Sequence, residues 1–165
     1  MQEAPEVLRV MGLDGSSWAL LGAAAAYFLA GVGSAIGIGI SAKVANGVLS
    51  EDPAKFGSLL VVSALPGTQG IYGFITAFMI LGKLGAASNP LAASVGFQIF
   101  VAALPVAIAG FLSAIYQGMV CAAGGAMIAK QPTEVGKAIV LAALVETYAI
   151  FGLIASILLL NQIKV

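Results

Sequence analysis

Charged positions punctuate this chain instead of covering it. Residues 15–42 carry no charge, nor do 56–82 or 84–129, and 138–163 carry one, Glu146. A membrane-spanning helix needs about 20 apolar residues, and each of these gaps exceeds that. Ser88-Asn89-Pro90 breaks the third gap with a turn signal and starts the following helix near Leu91. The pattern therefore predicts four helices, near 17–47, 55–83, 91–128 and 134–163. At ~1.5 Å per residue they overreach a ~30 Å hydrocarbon core, so their ends project beyond it.

Composition agrees with that reading. The chain of 165 residues is 61% hydrophobic and 8% charged, with seven charges of each sign. A soluble domain carries about 25% charged residues. An ordinary soluble enzyme, a disordered tail and a nucleic-acid binder are thereby excluded. With no histidine, nucleophilic triads that need imidazole are excluded too. One cysteine, Cys121, lies in an apolar run and reads as a small buried residue. Four spans place both termini on one side. Lys43, Lys55, Lys130 and Lys137 flank the loops 48–54 and 129–133, against Arg9, Lys83 and Lys164 on the opposite side. That balance points to cytoplasmic loops. The leading segment carries Glu3, Glu6 and Asp14 against Arg9, which does not suit the positive start of a signal peptide.

The chain also repeats itself. Shifted by 79 residues without gaps, 29–81 overlays 108–160 with 16 identities in 53 positions. Ser34-Ala35-Ile36 matches Ser113-Ala114-Ile115, Pro53 matches Pro132, and Thr68, Ile71 and Gly73 match Thr147, Ile150 and Gly152. The protein is thus expected to be two helical hairpins of the same direction. The organisation is an N-terminal extracytoplasmic segment 1–16, a hairpin 17–83 without a carboxylate, a linker 84–90 and a hairpin 91–163 carrying Glu146. The differences are informative: Glu146 aligns with Gly67, Gln117 with Ile38, and Tyr148 with Gln69.

Glu146 lies near the middle of its span. A charge there costs at least ~2.5–3.5 kcal/mol, so an intramembrane carboxylate implies function. Leu65, Thr68, Gln69 and Tyr72 are spaced to share a helix face. Pro66 cannot donate to the carbonyl of Val62, and Gly67 leaves room for a neighbour, Glu146 being the expected one. Gln117, on the third helix, is the other strongly polar residue near the middle of a span. One carboxylate, two amides, two hydroxyls and a freed carbonyl form a hard-oxygen set with a single negative charge. That set suits a monovalent cation, sodium ahead of a proton. Gly31, Gly33, Gly37 and Gly39 on the first helix, and Gly110, Ala114 and Gly118 on the third, read as stripes for close packing, as at the inner wall of a ring.

The segments Leu-Pro-Gly-Thr-Gln-Gly-Ile-Tyr-Gly-Phe at 65–74 and Val-Glu-Thr-Tyr-Ala-Ile at 145–150, within two fused hairpins, resemble the proteolipid (K, or c-ring) subunits of V-type and A-type rotary ATPases. The resemblance runs from about residue 17 to the end. It implies an all-α membrane protein assembling into a homo-oligomeric rotor ring, with the first and third spans inside. It implies Na⁺, or alternatively H⁺, held by the Leu65 backbone carbonyl, Thr68, Gln69, Gln117 and Glu146, with Tyr72 hydrogen-bonding the glutamate. It also implies a stator subunit whose membrane arginine displaces the ion, and central-stalk subunits meeting loops 48–54 and 129–133. The ring is expected in lipid, and the short loops and sodium-type ligand set lean to a bacterial plasma membrane. The chain itself is expected to be non-catalytic and to bind no nucleotide, since it has no glycine–lysine phosphate loop. One carboxylate per four spans halves the ions moved per turn at a given helix count, which favours pumping over synthesis. A small four-helix secondary transporter with one essential glutamate is the competing reading, and an inert membrane spacer a third.

Overall fold

The structure, a computed structural model, describes residues 10–87 and 90–165. Residues 1–9 and the Ser88-Asn89 part of the expected turn lie outside the described residues. The helices are α1 (Gly15–Glu51), α2 (Phe56–Ala64), α3 (Thr68–Ala86), α4 (Ala93–Lys130) and α5 (Val135–Gln162), joined by short 3₁₀ turns at Pro53–Lys55, Leu65–Gly67 and Pro132–Glu134. Four helical segments are long and apolar enough to cross a membrane: Gly15–Glu51, Pro53–Ala86, Ala93–Lys130 and Pro132–Gln162. Each bound falls within a few residues of the expected one. At ~1.5 Å per residue, α1 alone reaches ~55 Å.

Local chemistry sets the ends. Asp14 caps α1 by accepting the Ser17 N–H at 2.7 Å. Before it, the chain turns through Met11 and Gly12, both at positive φ, and the Trp18 indole donates to the Val10 carbonyl at 2.9 Å. Asp52 terminates α1 and accepts the Ala54 N–H, so Pro53 opens the return helix where its missing N–H costs nothing. Pro132 stands in the same place in the second hairpin. Two lysines tie the hairpins together at opposite ends. Lys55 donates to the Ala129 carbonyl at 2.7 Å, and Lys83 to the Ile163 carbonyl at 2.8 Å. Each meets carbonyls that a helix C-terminus leaves unpaired. The Lys55 contact also places the two interhelical loops at one end of the molecule.

The second span departs from a single smooth helix. Pro66 forces a 3₁₀ turn at Leu65–Gly67, and the Thr68 N–H closes on the Leu65 carbonyl. Val145 occupies the equivalent position in the second hairpin, and α5 runs through it unbroken. Pro105 is accommodated inside α4, where the neighbouring Val106 N–H donates to Ser156 Oγ at 3.1 Å.

Glycine lets α1 and α4 pack backbone to backbone. A Cβ on Gly118 would lie 2.5 Å from the Gly37 Cα, and one on Gly33 2.7 Å from the Phe111 Cα. The expected stripe holds along α4, where Gly110 approaches Ala30 and the Ala114 carbonyl lies against Gly37, and holds in part along α1. Gly33, Gly37 and Gly118 make the contact, whereas Gly31 faces its own Tyr27 and Gly39 meets nothing within 4 Å. Gly67 differs as well: it approaches the Ile38 side chain on α1, not Glu146. The repeat is structural. A Cβ on Gly73 would lie against the Ala26 carbonyl and 2.7 Å from Ala30 Cβ, and one on Gly152 2.8 Å from the Pro105 oxygen and 2.7 Å from Ala109 Cβ. Positions 26, 30 and 73 become 105, 109 and 152 under the same shift of 79.

Two apolar clusters fill the bundle. One includes Ala26, Ile80, Ile99, Val106 and Leu160; the other includes Leu59, Val62, Cys121, Ile128 and Ala142. Between them in register lies a layer of polar residues. Adding one methyl to the α1–α4 seam should cost about 1–3 kcal/mol, because both partners are backbone and neither can move alone. Gly118→Ala should therefore lower the melting temperature of the purified protein in detergent, while Gly82→Ala, with open space around its Cβ, should leave it unchanged.

Candidate ion site

The polar layer is one connected network. The Tyr72 hydroxyl on α3 donates to Glu146 Oε1 at 2.6 Å. Gln117 on α4 donates to Glu146 Oε2 at 3.1 Å, and to the Ala142 carbonyl at 3.2 Å. The Gln117 oxygen in turn accepts from Gln69 Nε2 at 2.6 Å. Thr68 Oγ1 sits 3.0 Å from the Leu65 carbonyl and 3.3 Å from Gln69 Oε1. A hydroxyl has one proton, so it serves one of these acceptors at a time. All six positions singled out in the sequence belong to this one network.

Each position follows from a local cause. The 3₁₀ turn at Pro66 ends at Thr68, where α3 starts, and the Thr68 hydroxyl reaches back to the Leu65 carbonyl as Thr147 does to Leu144 in the unbroken α5. Gln69 and Tyr72, one turn apart on α3, then face the second hairpin. Gln69 and Gln117 are wholly buried. Such amides hold their place in an apolar span only by meeting each other and the carbonyls nearby. In this arrangement Gln117 is a donor to the carboxylate. Offering its oxygen to a cation requires the amide to turn over, which exchanges Nε2 and Oε1.

Sequence reasoning missed one member. Ser113 accepts from Gln69 Nε2 at 3.3 Å and donates to the Val145 carbonyl at 3.0 Å, so it orients the amide. The available signal was its place one turn before Gln117 on α4. Its counterpart Ser34 accepts the Gly70 N–H at 2.8 Å instead.

Among the described residues the carboxylate has hydrogen bonds but no counter-charge. Among the described residues the ion pairs are Lys55–Asp52 and Lys137–Glu134, both at the loop end. No cluster of three or more histidine, cysteine or acidic side chains occurs there to hold a multivalent metal. One carboxylate among neutral oxygens matches a single positive charge.

Two like hairpins of membrane-length helices around one mid-span carboxylate define a multi-pass membrane proteolipid. The family model for the C subunit of ATP synthase matches the chain twice, at residues 21–80 and 100–159, and the chain belongs to that family. The two matches fall on the two hairpins. The chain is 43% identical over 145 residues to the V-type sodium ATPase subunit K of Enterococcus hirae, covering 88% of this chain and 91% of that one. It is 46% identical over 140 residues to the A-type ATP synthase subunit K of Methanocaldococcus jannaschii, covering 85% of this chain and 60% of that one. A V-type proton ATPase proteolipid from Caenorhabditis briggsae is 30% identical over 143 residues, covering 84% of this chain and 86% of that one. The chain is accordingly a proteolipid subunit of the V/A-type ATPase kind, a non-catalytic, ion-translocating rotor component.

Removing the Tyr72 hydroxyl should leave Glu146 Oε1 short of its donor. Interhelical hydrogen bonds of this kind average ~0.6 kcal/mol in membranes, with ~1.7 as the measured maximum. Tyr72→Phe should thus lower stability only slightly. It should nonetheless shift the infrared carboxyl band that Glu146→Gln removes, a shift that Ile75→Val should not produce.

Proposed function

We propose that this chain forms a rotor ring in which each copy binds one Na⁺ at Glu146 and carries it across the membrane as the ring turns. Rotation is tied to ATP hydrolysis or synthesis in a separate soluble head. The observation that carries this reading is the uncompensated carboxylate. Both Glu146 oxygens accept from neutral donors, and among the described residues no cationic side chain pairs with it. Its charge is left for a mobile cation, and a neutral ion–carboxylate pair passes lipid at far lower cost than a bare anion.

The neighbouring oxygens favour sodium over a proton. A protonated carboxyl needs a single acceptor. Here Leu65 O and Gln69 Oε1 lie within 3.3 Å of Thr68 Oγ1, beside a further amide at Gln117. These groups, with Glu146, are the ligands we assign; Tyr72 holds the carboxylate in place. The sodium ATPase relative from Enterococcus hirae supports the choice of ion, and its source supports a bacterial plasma membrane. The proton is the second reading, favoured by the proton ATPase relative. Family membership displaces the secondary-transporter reading.

In the same scheme a stator arginine displaces the ion from Glu146 at the ring's edge. The two interhelical loops meet the central stalk. Their shared end, stiffened by the 3₁₀ turns and by Lys55 bridging Asp52 and Ala129, suits a load-bearing contact. One carboxylate per four spans lowers the ions moved per turn and favours pumping.

A hydrophobic carbodiimide, which attacks only a protonated carboxyl group, tests the ion. At fixed pH and ionic strength, Na⁺ should slow labelling of Glu146 and K⁺ should not. Thr68→Ala should raise the Na⁺ needed for half-protection by about five- to tenfold, the equivalent of one lost ligand contact at about 1–1.4 kcal/mol. Labelling that follows pH alone, with no sodium effect, would make the ring a proton rotor.

A further inference from the structure

At Ser113 one buried hydroxyl joins three helices. It stands on α4, donates to the Val145 carbonyl on α5 at 3.0 Å, and accepts from Gln69 Nε2 on α3 at 3.3 Å. A serine or threonine in an apolar helix commonly turns back to its own helix. Thr76 does so to the Tyr72 carbonyl at 3.0 Å, and Thr147 to the Leu144 carbonyl at 2.7 Å. Ser113 instead crosses to both neighbours. Its counterpart in the first hairpin, Ser34, accepts a backbone N–H, that of Gly70.

We propose that Ser113 determines which end of the Gln69 amide faces the ion, and so makes the site selective for Na⁺ over a proton. This rests on the sodium reading above and adds the residue that sets the choice.

The two ends of a glutamine amide are nearly equal in size, so hydrogen bonds choose between them. With the nitrogen toward Ser113, a chain runs in one direction from Gln69 Nε2 to Ser113 Oγ to the Val145 carbonyl and closes two bonds. Turned over, Gln69 would present an oxygen to Ser113. The single hydroxyl proton would then serve either Gln69 or Val145, and one of the two bonds is lost. The chain ends on a backbone carbonyl, which only accepts, so the main chain beside Glu146 fixes its direction.

Gln117 gives Gln69 the same orientation, accepting from Nε2 at 2.6 Å while its own amide donates to Glu146. That hold is conditional. When Gln117 turns over to offer its oxygen to a cation, it puts a nitrogen where Gln69 had an acceptor. Ser113 is the partner that keeps its role through this change. It holds Gln69 Oε1 on the side of Thr68 and Leu65. Without it, Gln69 follows Gln117 and brings an N–H among those oxygens. A donor there repels Na⁺. Protonation of Glu146 stays open, because the carboxylate's own donors are Tyr72 and Gln117.

Carbodiimide labelling of Glu146 in the full chain in membranes, at constant ionic strength, tests this. Ser113→Ala should raise the Na⁺ needed for half-protection by about three- to tenfold, the factor that one hydrogen bond controls. Labelling without Na⁺ should keep the parent's dependence on pH. In a Gln69→Met background the same change should matter by less than about twofold, because its effect passes through the amide already removed. Ser113→Thr and Ser113→Val, nearly equal in size and differing in the hydroxyl, should differ as the parent and Ser113→Ala do. Ser156→Ala removes another buried hydroxyl, the acceptor of the Val106 N–H. It should lower thermal stability without moving the Na⁺ requirement. A parent-like Na⁺ requirement in Ser113→Ala overturns the assignment and leaves sodium binding intact. So does an undiminished effect in the Gln69→Met background, a Thr and Val pair that behave alike, or an equal shift in Ser156→Ala. A parent chain with no sodium protection overturns both readings.

Discussion

A single carboxylate in the middle of an apolar bundle is the constraint around which this molecule is organised. Glu146 cannot be left bare in hydrocarbon. The chain answers with neutral donors, Tyr72 and Gln117, and among the described residues no cationic side chain pairs with it. A fixed lysine or arginine would make the site permanent. Neutral donors hold the carboxylate in position yet leave its charge available. The two apolar clusters on either side confine the polar groups to one layer of the bundle.

That layer exists only because three helices come close at one depth. The α1–α4 seam brings the hairpins together through glycine, with Gly37 and Gly118 in backbone contact. Pro66 then supplies the asymmetry. Its 3₁₀ turn sets the start of α3, from which Gln69 and Tyr72 reach α4 and α5. The second hairpin keeps a continuous helix at the same place because Val145 can donate its N–H. Two hairpins built on one repeated pattern thus differ: one presents the polar side chains of α3 across the seam, and the other keeps the carboxylate.

How much of this was legible beforehand follows from how far each cause reaches along the chain. Span number and bounds, the hairpin repeat and the isolation of Glu146 are local properties of hydropathy, charge and spacing, and they could be read directly. So could the polar face of the second span, because Thr68, Gln69 and Tyr72 lie within two turns. The neighbours were another matter. Gly67 looked like room for Glu146 but abuts Ile38, and Gly31 and Gly39 belong to the glycine stripe without touching α4. Ser113 looked like one more repeat match until Gln69 was found against it. The decisive bonds join residues 48 and 74 apart in sequence, Gln69 to Gln117 and Tyr72 to Glu146. Periodicity says which face of a helix is polar. Which face it meets is settled by the depth and rotation of the packed helices, and those depend on glycine contacts that only the folded bundle reveals.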